Sequence, residues 1–326
     1  MPRKNPHSLE TPTLEAPVNL TAGSHFERLL KQGKFVVTAE LGPPKGAERA
    51  VVEKKAHLLK GYVDAVNITD CQTSVVRMSS IASAQILLEM GIEPIVQMTC
   101  RDRNRIALQA DLLGAWALGM KNVLCLTGDH PKFGDHPGAK PVFDLDSIQL
   151  LQMLKTMREE KKMLSGTPLE GAPSFFLGAA ENPFADPFPF RARRLAKKIT
   201  AGAEFIQTQI VYNVDKFVQW MEEVRQKGLH KKAFILAGVA PLKSAGMAKY
   251  MKKNVPGMEV PDAIISRLEK KNSKAEGIEI CLGIVEKLRQ IEGLSGIHIM
   301  AVEWEEVVAQ LVEKAGLLPR PASVGG

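Results

Sequence analysis

Aromatic residues are scarce in this chain, 6% of 326 positions, and they are not interleaved with basic ones. That composition argues against a nucleic-acid platform, which stacks bases on aromatic side chains beside a cationic groove. The four cysteines, Cys71, Cys100, Cys125 and Cys281, include no Cys-x-x-Cys pair, and no secretory signal precedes them. A disulfide scaffold is thereby excluded, and a reduced, cytoplasmic setting is expected. No window approaches 18 consecutive apolar residues, so no membrane-spanning helix is expected. The seven histidines are scattered, without His-x-x-x-His, and no metal site is expected. Also missing are a phosphate loop, a Gly-x-Gly-x-x-Gly dinucleotide fingerprint and a Gly-x-Ser-x-Gly elbow.

What is present is a long series of short apolar runs separated by amphipathic stretches. Strands are expected at Phe35–Ala39, Val63–Ile68, Ile92–Met98, Asn122–Leu126, Ser174–Gly178, Glu204–Thr208, Ala233–Ala237 and Gly296–Ala301. Helices are expected at Glu48–Leu59, Ile81–Met90, Ile106–Leu118, Ser147–Met163, Phe190–Ala201 and Val214–Lys227. Four more are expected at Ser244–Asn254, Asp262–Lys270, Lys274–Ile291 and Trp304–Ala315. Glycine at 91, 119, 202 and 228 closes several of them, as a left-handed cap does, and Gly114 recurs at the same unit spacing. Continuous apolar strands between helices indicate a parallel sheet covered on both faces. Eight such units with no dividing linker predict a closed (β/α)₈ TIM barrel, with an open doubly wound sheet as the alternative. Residues 1–24, with Pro2, Pro6, Pro12 and Pro17, read as a flexible tail; residues 25–326 read as one barrel domain.

Barrel chemistry sits where strands end at their C-termini. Polar residues there are Glu40; Asn67, Thr69 and Asp70; Gln97, Thr99 and Arg101; Thr127, Gly128, Asp129 and His130; and Gln207, Thr208 and Gln209. Glu40 reads either as a salt-bridged strand end or as a half-buried acid able to give up a proton near neutrality. His298, inside the last strand, reads as a core or rim histidine, and Cys100 as an unreactive core residue. The net charge of +7, 43 basic minus 36 acidic residues, permits an anionic ligand. Amides, hydroxyls and two acids suit a polar heteroaromatic ring; redox chemistry there needs a cofactor.

The ordered set Ala39-Glu40-Leu41-Gly42-Pro43-Pro44, Asn67-Ile68-Thr69, Gln97-Met98-Thr99-Cys100, Leu126-Thr127-Gly128-Asp129, Ala201-Gly202-Ala203 with Gln207-Thr208-Gln209, and Gly296-Ile297-His298 resembles the methylenetetrahydrofolate reductase family. Thr99 to Asp111 with Leu112-Leu113-Gly114 is similar to the branch found in acetogenic bacteria and in methyltransferase fusions. The resemblance implies a flavin enzyme that passes hydride from flavin N5 to 5,10-methylenetetrahydrofolate, giving 5-methyltetrahydrofolate. Glu40 then matches the general acid and Asp129 the acidic residue near flavin and pterin. Gln209, Asn67 and Gln207 match substrate positions. Thr69, Gln97, Leu126, Thr127, Gly128, Asp129, Ala180, Arg194 and Lys198 match flavin positions. Arg191 and Arg194 stand where many FAD-binding members carry Asp and Asn, which makes FMN a candidate beside FAD. Ala245 stands where some relatives bind nicotinamide with a phenylalanine. The electron donor implied is NAD(P)H or a partner subunit that supplies electrons, and an oligomer is expected. The competing reading is a flavin-free barrel lyase with Glu40 as acid and base.

Overall fold

The computed structural model describes residues 19–255, 257–271, 273–301 and 303–321, so the tail expected at 1–24 lies mostly outside the described residues. Eight strands pair in parallel in chain order and close on themselves. They are β1 (Val36–Leu41), β2 (Ala65–Ile68), β3 (Pro94–Thr99), β4 (Asn122–Leu126), β5 (Phe176–Glu181), β6 (Phe205–Ile210), β7 (Phe234–Val239) and β8 (Leu294–Ile299). The helices α2 (Arg49–Leu59), α3 (Ser80–Glu89), α4 (Arg105–Ala117), α5 (Ser147–Glu159), α6 (Arg191–Ala201) and α7 (Val214–Gln226) follow β1 to β6 in turn. After β7 come α8 (Ala245–Asn254), α9 (Asp262–Lys270) and α10 (Lys274–Leu288), and after β8 comes α11 (Val307–Lys314). The expected barrel is therefore the fold.

The boundaries differ from expectation where polarity misleads. β1, β3, β5, β6 and β7 all run further toward their C-termini than their apolar runs do. Glu40, Thr99 and Glu181 continue the ladder because alternate side chains turn into a polar mouth. β5 is displaced most, covering Phe176–Glu181 rather than Ser174–Gly178, so Ala180 is a strand residue. α5 ends at Glu159, four residues early, and Lys161 beyond it is left-handed at φ 53°. Gly114 lies inside α4 and closes no helix.

A helix that the apolar pattern did not indicate, α1 (His25–Lys31), seals the lower end of the barrel. Phe26 stands edge-on to Phe176 and Phe205, with ring centroids 5.9 and 5.1 Å away. Val36, Ala65, Ile95, Leu124 and Leu236 complete this apolar floor. Ser24 caps α1, and the buried Glu27 carboxylate accepts the backbone N–H groups of Ala22 and Gly23 at 2.9 and 3.1 Å. Residues 21–24 are thus tied into the floor. Burial pushes the Glu27 carboxyl up, but Lys31 and the backbone donors outweigh it, and the net direction is down. A carboxyl lowered on folding stabilises the native state above its ordinary value of 4.5 and stops doing so as pH falls through the folded value. The denaturant midpoint of the protein should therefore exceed that of Glu27→Gln at neutral pH. The gap should close as the titration passes below 4.5; a gap independent of pH contradicts this assignment.

Candidate functional site

The upper end of the barrel opens into a cavity of about 530 Å³. Eleven of the residues expected at the site line it: Glu40, Gln97, Leu126, Thr127, Gly128, Asp129, Ala180, Arg194, Lys198, Gln207 and Gln209. Two do not. Asn67 is fully buried, its amide exchanging hydrogen bonds with Gln207 at 2.7 and 2.9 Å. Any effect of Asn67 on a ligand passes through Gln207. Thr69 is 1% exposed and lies behind the cavity wall, its hydroxyl oxygen without a partner among the described residues.

Each lining side chain is placed by a local device. Glu40 is the penultimate residue of β1; its side chain is 12% exposed, and Gln72 Nε2 donates to its Oε1 at 3.2 Å. A register shift between Gln207 and Ile210 re-aims the top of β6. There Gln209 Oε1 accepts the N–H of Ile210 at 2.9 Å, so Gln209 presents its amide N–H group to the cavity. Gly128 follows β4 at φ +91°, and a Cβ on it would lie 2.9 Å from the Arg101 Cβ. Only glycine lets this loop fold down over the end of β3.

Sequence reading noted Arg101 at a strand end without giving it a role. Its side chain is buried and staples three loops. The guanidinium bonds Asp102, the carbonyl of Cys71 at 3.2 Å and the carbonyl of Asp129 at 3.4 Å. Asp70 is likewise structural, accepting from Thr99 N and Oγ1 at 2.9 and 2.8 Å and from Arg103 at 2.7 Å. His298 is buried as expected of a core histidine, yet it also lines the cavity.

Charge in the mouth is segregated. Arg101 and Asp70 are each neutralised by a neighbour. Lys198 is buried against Glu181 at 2.8 Å and donates to the Ala180 carbonyl. Burial lowers the Lys198 pKa; Glu181 opposes this, and Arg194 and Arg191 reinforce it. Arg191 and Arg194 line the cavity, and neither takes part in an ion pair among the described residues. The Arg191 Nε is buried without a partner, whereas the Arg191 backbone N–H is taken by the Phe188 carbonyl, because a 3₁₀ turn at Phe188–Phe190 runs straight into α6. Two arginines and a lysine thus form a cationic corner. The acids Glu40 and Asp129 stand on β1 and after β4. β1 and β5 are diametrically opposed in an eight-stranded ring, so Glu40 faces the cationic corner across the mouth.

A parallel barrel carrying an acid, an amide-lined ring pocket and a cationic corner at its C-terminal end has the build of a cofactor-using barrel enzyme. The methylenetetrahydrofolate reductase family is matched over residues 25–316, and the chain belongs to that family. Similar proteins include a probable methylenetetrahydrofolate reductase (NADPH) of Caenorhabditis elegans, 25% identical over 305 residues, covering 90% of this chain and 44% of the relative. Methylenetetrahydrofolate reductase 1 of Schizosaccharomyces pombe is 24% identical over 243 residues, 72% of this chain and 37% of the relative. The chain thus spans less than half the length of these two relatives. A 5,10-methylenetetrahydrofolate reductase of Pectobacterium carotovorum is 21% identical, with 88% of this chain and 92% of the relative covered. Among solved structures, a Clostridium thermocellum protein that binds two copies of 5-methyl-5,6,7,8-tetrahydrofolic acid shares the fold. Its TM-score is 0.63 at 15% identity, with 89% and 99% of the two chains covered.

The mouth also sorts the thiols. Cys71 lines the cavity and is half-buried; Cys125 also borders the cavity but, like Cys100 and Cys281, is buried. Burial, reinforced by Asp146, pushes the Cys100 thiol up to about 12. Burial, reinforced by Cys100, also pushes the Cys125 thiol well above its ordinary value, and burial carries Cys281 to about 12. Since the thiolate is the reactive form, iodoacetamide on the folded protein at neutral pH should add one label, at Cys71. Peptide mass spectrometry showing prompt labelling of Cys100 or Cys125 contradicts the packing described.

Proposed function

We propose that this chain is the flavin-dependent catalytic barrel of a methylenetetrahydrofolate reductase, converting 5,10-methylenetetrahydrofolate into 5-methyltetrahydrofolate. The observation that carries the reading is the placement of a shielded acid, Glu40, across the mouth from a corner whose two arginines, Arg191 and Arg194, have no ion-pair partner among the described residues. Family membership and the methyltetrahydrofolate bound by the Clostridium thermocellum protein support a folate as substrate.

The residues fit a flavin. The orphaned Arg191 Nε, Arg194 and Lys198 would hold the phosphate common to FMN and FAD. Gln97, Leu126, Thr127 and Gly128 would bound its ring, with Ala180 leaving room on the β5 side. The bound flavin supplies the hydride that turns the methylene carbon into a methyl group.

The chain's own residues do the rest. Glu40, 12% exposed, gives its proton to the ring nitrogen so that the C–N bond opens. Asp129 accepts from pterin N–H donors, and the Gln209 amide N–H meets a pterin acceptor, since its oxygen is already engaged. Together they orient the carbon for transfer. Electrons enter from NAD(P)H or from a partner subunit, and donor-dependence assays on the purified chain separate the two routes. A flavin-free aldolase working through a Schiff base would need a lysine free to form it; Lys198 stands on α6 and is engaged by Glu181.

Glu40→Gln should leave reduction of the bound flavin intact and slow folate turnover by about 10²- to 10⁴-fold, the range general acids contribute. Equal losses in both half-reactions, measured by stopped-flow absorbance, contradict the role of Glu40. Gln209→Ala should raise the folate KM more than it slows flavin reduction, and an unchanged KM removes Gln209 from the pterin site.

A further inference from the structure

Four buried polar side chains form a continuous run of hydrogen bonds beneath the mouth, and it leads to the acid. Asn67 Nδ2 donates to Gln207 Oε1, and Gln207 Nε2 returns a hydrogen to Asn67 Oδ1. The second hydrogen on Gln207 Nε2 goes to Thr38 Oγ1 at 3.2 Å, with His298 Nδ1 as a longer partner of the same nitrogen at 3.5 Å. Thr38 is fully buried, and its hydroxyl has one acceptor left, His298 Nδ1 at 2.9 Å. An Nδ1 that accepts carries no hydrogen, so the neutral ring bears its hydrogen on Nε2. That nitrogen lies 3.9 Å from Glu40 Oε2.

We propose that His298 is a positioning residue for the acid at 40. The Asn67–Gln207–Thr38 relay holds it as the Nε2–H tautomer, and this N–H closes on Oε2 as Glu40 becomes a carboxylate. The inference rests on the reading of Glu40 as the acid. The proton delivered to the substrate nitrogen is Glu40's own; His298 keeps both its hydrogen and its neutrality and contributes an N–H···O⁻ bond.

Three observations carry this. The layer directly below, with Val36, Phe176, Phe205 and Leu236, is apolar, so the polar layer is not what filling the barrel requires. Its four members are satisfied only as a set, because the direction of each bond fixes the next. Glu40, once ionised at 12% exposure, has Gln72 as donor to Oε1 and His298 as donor to Oε2. No lysine or arginine pairs with it among the described residues. The 3.9 Å separation is longer than a hydrogen bond, and catalytic contacts commonly tighten only when substrate is bound.

The test is ¹⁵N NMR of the full chain labelled at histidine, assigned with His298→Gln, which reads the tautomer without any turnover. A protonated Nε2 with a bare Nδ1 is expected. An Nδ1–H tautomer in the unaltered protein overturns the proposal, since the two amides would then run the other way and a lone pair would face Glu40. Kinetics give a second arm. His298→Gln keeps an N–H near the Nε2 position, and His298→Asn supplies one only near Nδ1. His298→Asn should slow folate reduction about 10- to 100-fold, the worth of one hydrogen bond to a charged group. Folate KM and flavin reduction should hold, and His298→Gln should recover most of the loss. Equal losses in the two variants overturn the positioning role. Glu40→Gln, run in parallel, keeps the two claims apart: if only it slows folate reduction, the inference about His298 fails and the reading of the acid stands.

Discussion

The seam where β8 meets β1 sets every distance in the mouth. Val36 pairs with Gly296 and Thr38 with His298. A Cβ on Gly296 would fall 2.3 Å from the Val36 carbonyl oxygen, so only glycine allows the strands to close there. On the seam between β6 and β7 a Cβ on Gly238 would fall 2.4 Å from the Thr208 carbonyl oxygen. Substituting either residue would force the ring apart and shift the register on which His298 and Glu40 depend.

From that register the interior is read upward in steps of two. On β1 the inward residues are Val36, Thr38 and Glu40; on β6 they are Phe205, Gln207 and Gln209; on β3 they are Ile95, Gln97 and Thr99. The lowest layer is apolar, the middle layer is a closed amide and hydroxyl network, and the top layer carries acid and amide groups to the cavity. Burying polar groups at mid-barrel is tolerable only because each finds a partner. The result is a graded interior, dry below and chemically equipped above, with a shielded carboxyl at the boundary.

This gradient explains what could be read from the sequence. The alternation of strands and helices gave the fold, and position at strand C-termini brought Glu40, Gln97, Gln207 and Gln209 to one end. Position alone did not separate lining from support. Asn67 is the register partner of Glu40 on β2, yet its amide is spent on Gln207 rather than offered to the cavity. Local pattern could not place His298 against Thr38, 260 residues away, or show Arg101 joining three loops. Nor did hydropathy reveal α1, seven residues whose amphipathic face becomes meaningful only once a barrel floor exists to receive Phe26. The cationic corner was partly visible as Arg191 and Arg194. Their lack of acidic partners among the described residues is a property of the folded neighbourhood.

The central claim is that a single barrel mouth brings a reduced flavin and a methylene-bearing folate together under Glu40. It is tested most directly by reducing the flavin-loaded protein without oxygen and adding one equivalent of 5,10-methylenetetrahydrofolate. The account predicts that the oxidised flavin spectrum returns while one equivalent of 5-methyltetrahydrofolate forms. A flavin that stays reduced with the folate unchanged, or a protein that takes up neither FAD nor FMN, would contradict it.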